Sequence, residues 1–76
     1  MSTLFTTKQN EVIRITDREL DVLKLLVEGK TNPEIGEELF ISYHTVKAVL
    51  EKLYGKTGCH NRVQLVIFTI KNEIIN

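Results

Sequence analysis

The sequence predicts an all-α fold of four short helices, and three observations carry that prediction. Two Thr-x-x-Glu capping signatures, Thr16 to Glu19 and Thr31 to Glu34, each stand directly before apolar residues at helical spacing. Gly29 and Gly58 fall just past the ends of two such runs, where the chain needs a left-handed residue to leave a helix. The stretch from Thr31 to Leu50 holds two helical patterns joined by a tight turn. Its apolar residues Ile35, Leu39, Ile41, Val46, Val49 and Leu50 turn to one interior and leave the opposite face of the second helix polar. A pair of this shape is a helix-turn-helix, and its free polar face is the candidate reading head.

In chain order, residues 1–14 show no clean helical or strand period and are rich in Thr. They are expected to form an N-terminal extension, loose or lying over the domain of residues 15–76. The first helix is expected over about 17–28, with Leu20, Val22, Leu23, Leu25, Leu26 and Val27 as its apolar positions and Gly29 as its stop. The second spans about 32–39, with Pro33 in the first turn, where a missing N–H costs nothing. Gly36 is placed where the two helices of the pair cross, since a residue without a side chain lets backbones approach. Phe40 and Ile41 make the turn, and Ser42 caps a third helix over about 43–56. Gly55 is a weak point near its end, costing roughly 1 kcal/mol relative to Ala. Gly58 stops it, and His60-Asn61 caps a fourth helix over about 62–74.

Composition bounds the function. A chain of 76 residues, 42% of them hydrophobic, has room for one globular domain whose core is only marginally stable alone, so a second copy covering apolar surface would stabilise it. The lone Cys59 excludes an intramolecular disulfide and a multi-cysteine metal cluster, and reads as a half-buried thiol in a reducing compartment. No apolar run reaches membrane-spanning length and no secretory signal opens the chain, so a cytoplasmic location is expected. Ten basic and ten acidic residues give zero net charge, but they are unevenly placed. Residues 1–41 hold five Lys/Arg against eight Asp/Glu, whereas residues 42–62 hold Lys47, Lys52, Lys56 and Arg62 against Glu51. The second stretch therefore carries plus three, weak for a nucleic-acid binder and consistent with modest, salt-dependent affinity.

On the third helix His44, Lys47, Ala48, Glu51 and Gly55 recur at three- and four-residue spacing and line the side opposite Val46, Val49, Leu50 and Leu53. Lys47 can donate to guanine O6 and N7, Glu51 can accept from cytosine N4, and Ala48 can touch a thymine methyl. Lys52 adds positive charge to the same helix. Ser42, Tyr43 and Thr45 surround its N-terminus, where hydroxyls, free N–H groups and the helix dipole favour a phosphate, and Thr31 and Asn32 do the same for the second helix. The bland alternative for Lys47 and Glu51 is a solvated ion pair four residues apart. His44 and His60 lack second ligands at metal spacing, and no nucleophile with a supporting base is present. The expectation is a protein that is not an enzyme and has no cofactor, no small-molecule substrate and no membrane partner.

The segments Ile15 to Glu19, Val22 to Gly29, Thr31 to Ile35, Leu39 to Ser42, Thr45 to Lys47 and Asn61 to Gln64 resemble, in this order and spacing, the LuxR/NarL/GerE-type DNA-binding domain over about residues 15–75. The resemblance implies a bacterial transcription regulator whose third helix enters the major groove and whose fourth carries a dimer contact. It also places Lys47 at a position the family uses on DNA. The chain departs from the family pattern at Pro33, Gly36, Ala48-Val49, Gly55 and Thr57, which leaves fewer basic groups for phosphates. Most members carry a phosphoacceptor or ligand-sensing domain as well. Nothing here is either, and the expectation is a stand-alone regulator of the GerE-like group or an excised effector domain, with the initiating Met and the N-terminal stretch on the side of the first.

In the fourth helix Leu65, Val66 and Thr69 match the family's inward face, yet Val63, Ile67, Ile70 and Ile74 form a second apolar stripe. A helix apolar on two sides must be covered on both, here either by the N-terminal extension or, as favoured, by a second copy. A two-fold pair would present two reading helices to the half-sites of a palindrome. The leading expectation is thus a sequence-specific, homodimeric regulator of double-stranded DNA, with RNA polymerase as a further partner. The alternative is a protein-interaction module that pairs with another regulator and binds DNA weakly or not at all.

Overall fold

A computed structural model describes residues 1–75; Asn76, the last residue of the expected domain, lies outside the described residues. The order is β1 (Ser2–Thr6), β2 (Val12–Thr16), α1 (Asp17–Val27), α2 (Asn32–Leu39), α3 (Tyr43–Thr57) and α4 (Arg62–Lys71). All four helices start where their caps predict. Thr16 and Thr31 form complete capping boxes with Glu19 and Glu34, and Ser42 and Asn61 accept from the backbone N–H of Thr45 and Gln64. Gly29 at φ 88° and Gly58 at φ 74° supply the left-handed exits. α3 runs through Gly55 to Thr57, and a β-carbon on Gly55 would meet nothing within 4 Å.

One core joins the four helices. Val22, Leu23 and Leu26 of α1 meet Ile35 of α2, Val46, Leu50 and Leu53 of α3, and Leu65 of α4, all nearly inaccessible to solvent. Thr69 is fully buried yet satisfied, its hydroxyl donating to Leu65 O one turn back.

The fourth helix is shorter than its apolar pattern suggests, and Ile74 is a correction to the predicted stripe. α4 ends at Lys71, Glu73 takes a left-handed φ of 55°, and the Ile74 N–H donates back to Thr69 O. That reversal carries Ile74 into the core at 6% exposure, so it is not on the outer face. Val63, Ile67 and Ile70 stay outside at 67%, 56% and 54%.

Residues 1–14, where no period was legible, contribute to an antiparallel hairpin with Ser2 opposite Thr16 and Thr6 opposite Val12. Phe5, Ile13 and Ile15 pack against the helical core, while Leu4 and Val12 face solvent. The turn is built on Thr7, whose Oγ1 accepts from the backbone N–H groups of Gln9 and Glu11, with Asn10 in the left-handed region. The Lys8 N–H donates to Asn72 Oδ1 at 2.8 Å and so ties the hairpin turn to the end of α4.

Glu19 joins three elements. Its Oε1 accepts from Thr16 N–H at 2.9 Å to complete the capping box and from Lys56 Nζ at 2.6 Å, and Lys56 also donates to Arg14 O at 2.7 Å. The Glu19 carboxylate is 4% exposed. Burial by itself would raise its pKa, but the bonds from Lys56 and Thr16 and the charge of Lys56 outweigh burial and hold it below the usual carboxylate value. With the folded value depressed, the unfolded chain binds more protons in acid. The contribution is therefore whole above about pH 4.5 and is lost as pH falls through the lower folded value. Glu19→Gln is expected to cost about 1.5 to 3 kcal/mol at pH 7, the usual worth of a hydrogen bond to a charged group. Urea midpoints at pH 7 and pH 3 check this: the gap between variant and wild type should narrow at pH 3, and an equal gap at both would refute the assignment.

Candidate nucleic-acid interface

α2 and α3 pack through Gly36. The Ile41 N–H donates to Gly36 O at 2.9 Å, and a β-carbon on Gly36 would lie 2.6 Å from Ile41 O, so the turn sits closer to α2 than any side chain permits. Phe40 makes that turn in the left-handed conformation at φ 59°, with its ring 92% exposed while Ile41 is half-buried. The predicted turn residues thus divide into an inner Ile41 and an outer Phe40. Phe40 was read as a turn residue and given no contact; its left-handed backbone and exposure add an apolar side chain to the accessible surface at this turn.

The α3 residues singled out from sequence share one accessible surface. Tyr43, His44, Thr45, Lys47, Ala48, Glu51 and Lys52 are exposed, whereas Val46, Leu50 and Leu53 are buried beneath them. At the N-terminus Ser42 Oγ accepts from Thr45 N–H at 3.1 Å and lies 3.0 Å from Thr45 Oγ1, so both hydroxyls sit at the positive end of the helix dipole. The Tyr43 and His44 rings are 4.0 Å apart between centroids, a polar aromatic pair at the same end. Among the described residues no ion pair joins Lys47 to Glu51, so the Lys47 ammonium is not spent on its neighbour one turn away.

Two of the four basic groups counted after residue 41 are structural. Lys56 is held by Glu19, and the Arg62 guanidinium donates to Asn32 Oδ1 at 2.7 Å and to Lys30 O, bracing the start of α4 against the connection between α1 and α2. Asn32, predicted to meet a phosphate, accepts from Arg62 through its side-chain oxygen, which turns only its Nδ2 to other partners. Thr31 is exposed, and its hydroxyl accepts from Glu34 N–H at 3.3 Å as the helix cap, as that of Ser42 does for α3. The positive charge on the outer face of α3 therefore rests on Lys47 and Lys52. No spacing rule links Lys56 to Glu19, 37 residues away, or Arg62 to Asn32, 30 away, so the sequence held no signal for either tie.

A capped helix pair closed at a glycine, with the polar face of its second helix outward and two further helices completing the core, defines a helix-turn-helix domain. The chain belongs to the luxR family of bacterial regulatory proteins, whose sequence pattern matches residues 14–69. It is 44% identical over 62 residues to the Transcriptional regulatory protein LiaR of Bacillus subtilis, covering 82% of this chain and 29% of that protein. With the Fimbriae Z protein of Escherichia coli it shares 36% identity over 70 residues, covering 92% and 33% of the two chains. With the DNA-binding transcriptional activator DevR/DosR of Mycobacterium tuberculosis the figures are 38% over 61 residues, covering 80% and 28%. The chain spans about a third of the length of the curated relatives it matches.

Lys47 lies mid-face with no packing role, which fixes what its removal should do. Lys47→Ala should leave thermal stability nearly unchanged and weaken specific DNA binding by roughly 1 to 3 kcal/mol. Paired melting curves and binding titrations check both halves, and unchanged affinity would take Lys47 out of the interface.

Proposed function

We propose that residues 15–76 form a sequence-specific DNA-binding domain of a bacterial transcription regulator, that α3 reads the major groove, and that two copies pair through α4. The observation that carries this reading is the exposed polar face of α3, fixed at one end by the Gly36 contact and at the other by Glu19 and Lys56. Lys47, Ala48 and Glu51 would meet base edges, with Lys52 beside them. The N-terminus of α3, with Ser42, Tyr43, His44 and Thr45, would meet a phosphate. Residues 1–14 act as an appended element. The work is that of a regulator rather than an enzyme, in the cytoplasm, with double-stranded DNA as partner and RNA polymerase as a further one. No helix among the described residues is long and apolar enough to cross a membrane.

The withdrawal of Lys56 and Arg62 into structural ties favours one rival, a module that works mainly by pairing with another regulator. Salt separates the two readings. If α3 binds DNA, the logarithm of affinity for random duplex should fall linearly with the logarithm of salt, by roughly 0.9 for each phosphate neutralised. Selection of bound sequences from a random pool should also return a two-fold site. No salt-dependent binding at low ionic strength would favour the rival.

The pairing rests on Val63, Ile67 and Ile70, three aliphatic side chains more than half exposed on one helix. Ile67→Lys with Ile70→Glu should give a folded monomer whose affinity for a full palindrome falls toward that for one half-site, since linkage of the two reading heads is lost. Sedimentation and circular dichroism on the variant check it. An unfolded product would mean the stripe is core, and a wild type that stays monomeric at high concentration and on DNA would mean there is no such dimer.

A further inference from the structure

The two edges of the N-terminal hairpin differ. Asp17 N–H donates to Met1 O and Thr7 N–H to Glu11 O, which sets the hydrogen-bonded pairs of the ladder at Thr3 with Ile15 and Phe5 with Ile13. The even-numbered residues therefore point their backbone groups away from the partner strand. On β2 that outer edge is occupied, since Thr16 N–H donates to Glu19 and Arg14 O accepts from Lys56 Nζ. On β1 it is open: among the described residues no further strand pairs with it, and no turn or loop bond reaches the backbone N–H or C=O of Ser2, Leu4 or Thr6. We propose that this edge docks the β1 of a second copy, antiparallel about a two-fold axis at Leu4, so that two hairpins join into one continuous sheet.

Three features of β1 select this occupant. The strand, Ser-Thr-Leu-Phe-Thr, has none of the devices that keep an edge from pairing, for it holds no charge and no proline, and its register with β2 runs without a bulge. A row of unpaired donors and acceptors is filled by another extended backbone, and among the described residues the chain's one other strand has its outer edge committed to Glu19 and Lys56. Finally, β1 is complementary to itself. An axis at Leu4 sets Ser2 opposite Thr6 and Leu4 opposite Leu4, and each of these pairs exchanges two N–H···O bonds. The side chains agree, because the exposed Leu4 meets its own copy and the hydroxyls of Ser2 and Thr6 face each other, with no like charges across the axis. A foreign strand would gain the same backbone bonds, but Ser, Thr and Leu side chains give it little to be recognised by. The contact is separate from α4 and does not rest on it. A pair of five-residue strands buries far less than the roughly 800 Å² per partner of a standard interface, so the association is weak and is seen at high concentration.

Nuclear magnetic resonance on a mixture of isotope-labelled and unlabelled protein tests this directly. At millimolar concentration the Hα of Thr3 should show an intermolecular contact with the Hα of Phe5, the pair that flanks the axis without hydrogen bonds. Exchange of the Thr6 amide should slow about tenfold when one molecule in ten is unpaired. Leu4→Pro removes an N–H that the ladder with β2 does not use, a change that edge strands tolerate, and should abolish both signals while the Phe5 amide stays protected. Should that variant lose the Phe5 protection, Leu4→Lys decides, since it sets two ammonium groups across the axis with the backbone intact. Ile67→Lys with Ile70→Glu should leave both signals in place. No Thr3 to Phe5 contact and an unchanging Thr6 rate across the concentration series would overturn the proposal whether or not the protein pairs through α4. A contact that survives both Leu4 variants would overturn it as well.

Discussion

The bond between Glu19 and Lys56 is the constraint on which the rest of this domain depends. Glu19 is the third residue of α1, where its carboxylate closes the capping box on Thr16, and the same oxygen receives an ammonium from the last turn of α3. Lys56 reaches on to the Arg14 carbonyl in β2, so one buried node fixes the end of the hairpin, the start of α1 and the far end of α3. A carboxylate this shielded from water is tolerable only because donors surround it. At its other end α3 is held by backbone proximity rather than charge, through the turn that closes on Gly36. Both anchors lie off the polar face. The face is thus held rigidly without committing any side chain that points outward from it, the arrangement that pre-organises a binding surface.

The same ties draw basic side chains away from a polyanion. Lys56 and Arg62 look in the sequence like part of a basic stretch, but Lys56 is paired with Glu19, and Arg62, which keeps its charge, is held in place by the neutral acceptors Asn32 Oδ1 and Lys30 O. With Lys47 and Lys52 left on α3 beside Glu51, one copy offers few ammonium groups on this face, and the electrostatic part of any affinity for a polyanion scales with the number of phosphates neutralised. In the proposed pair, linkage would raise the effective concentration of the second α3 without adding charge to either copy. A weakly basic domain that binds DNA thus has more need of pairing than a strongly basic one.

Local signals in the sequence were reliable because they are local. The caps at Thr16, Thr31, Ser42 and Asn61, the stops at Gly29 and Gly58, and the helical spacing of the core each depend on residues within one or two turns, and all appear in the structure. What was not legible depends on contacts across the chain. In the hairpin only Phe5, Ile13 and Ile15 face inward, too few for a clear alternation, and its turn relies on a Thr7 hydroxyl and a left-handed Asn10 rather than on glycine. Ile74 continued the outer stripe by spacing, but a left-handed Glu73 ended the periodicity before it applied. In the candidate site the faces of α3 were readable from spacing. The fates of Asn32, Lys56 and Arg62 were not, since each is decided by a partner thirty or more residues away.

The reversal after α4 also bears on why the chain carries a hairpin. With Ile74 turned into the core, the outer face of α4 holds three aliphatic side chains instead of four. The same reversal brings Asn72 to the hairpin turn, where it accepts from Lys8 N–H, and caps the last turn of α4 by donating from Nδ2 to Phe68 O at 2.9 Å. One residue thus stops the helix and docks the hairpin. Most of the hairpin lies outside the segment shared with the family, which begins at residue 14. It adds Phe5 and Ile13 to a core of marginal size and raises a wall beside Ile67. The shortening of the apolar stripe and the docking of the hairpin turn therefore meet in one segment, the fold-back that begins at Asn72, which turns Ile74 inward and holds the Lys8 N–H.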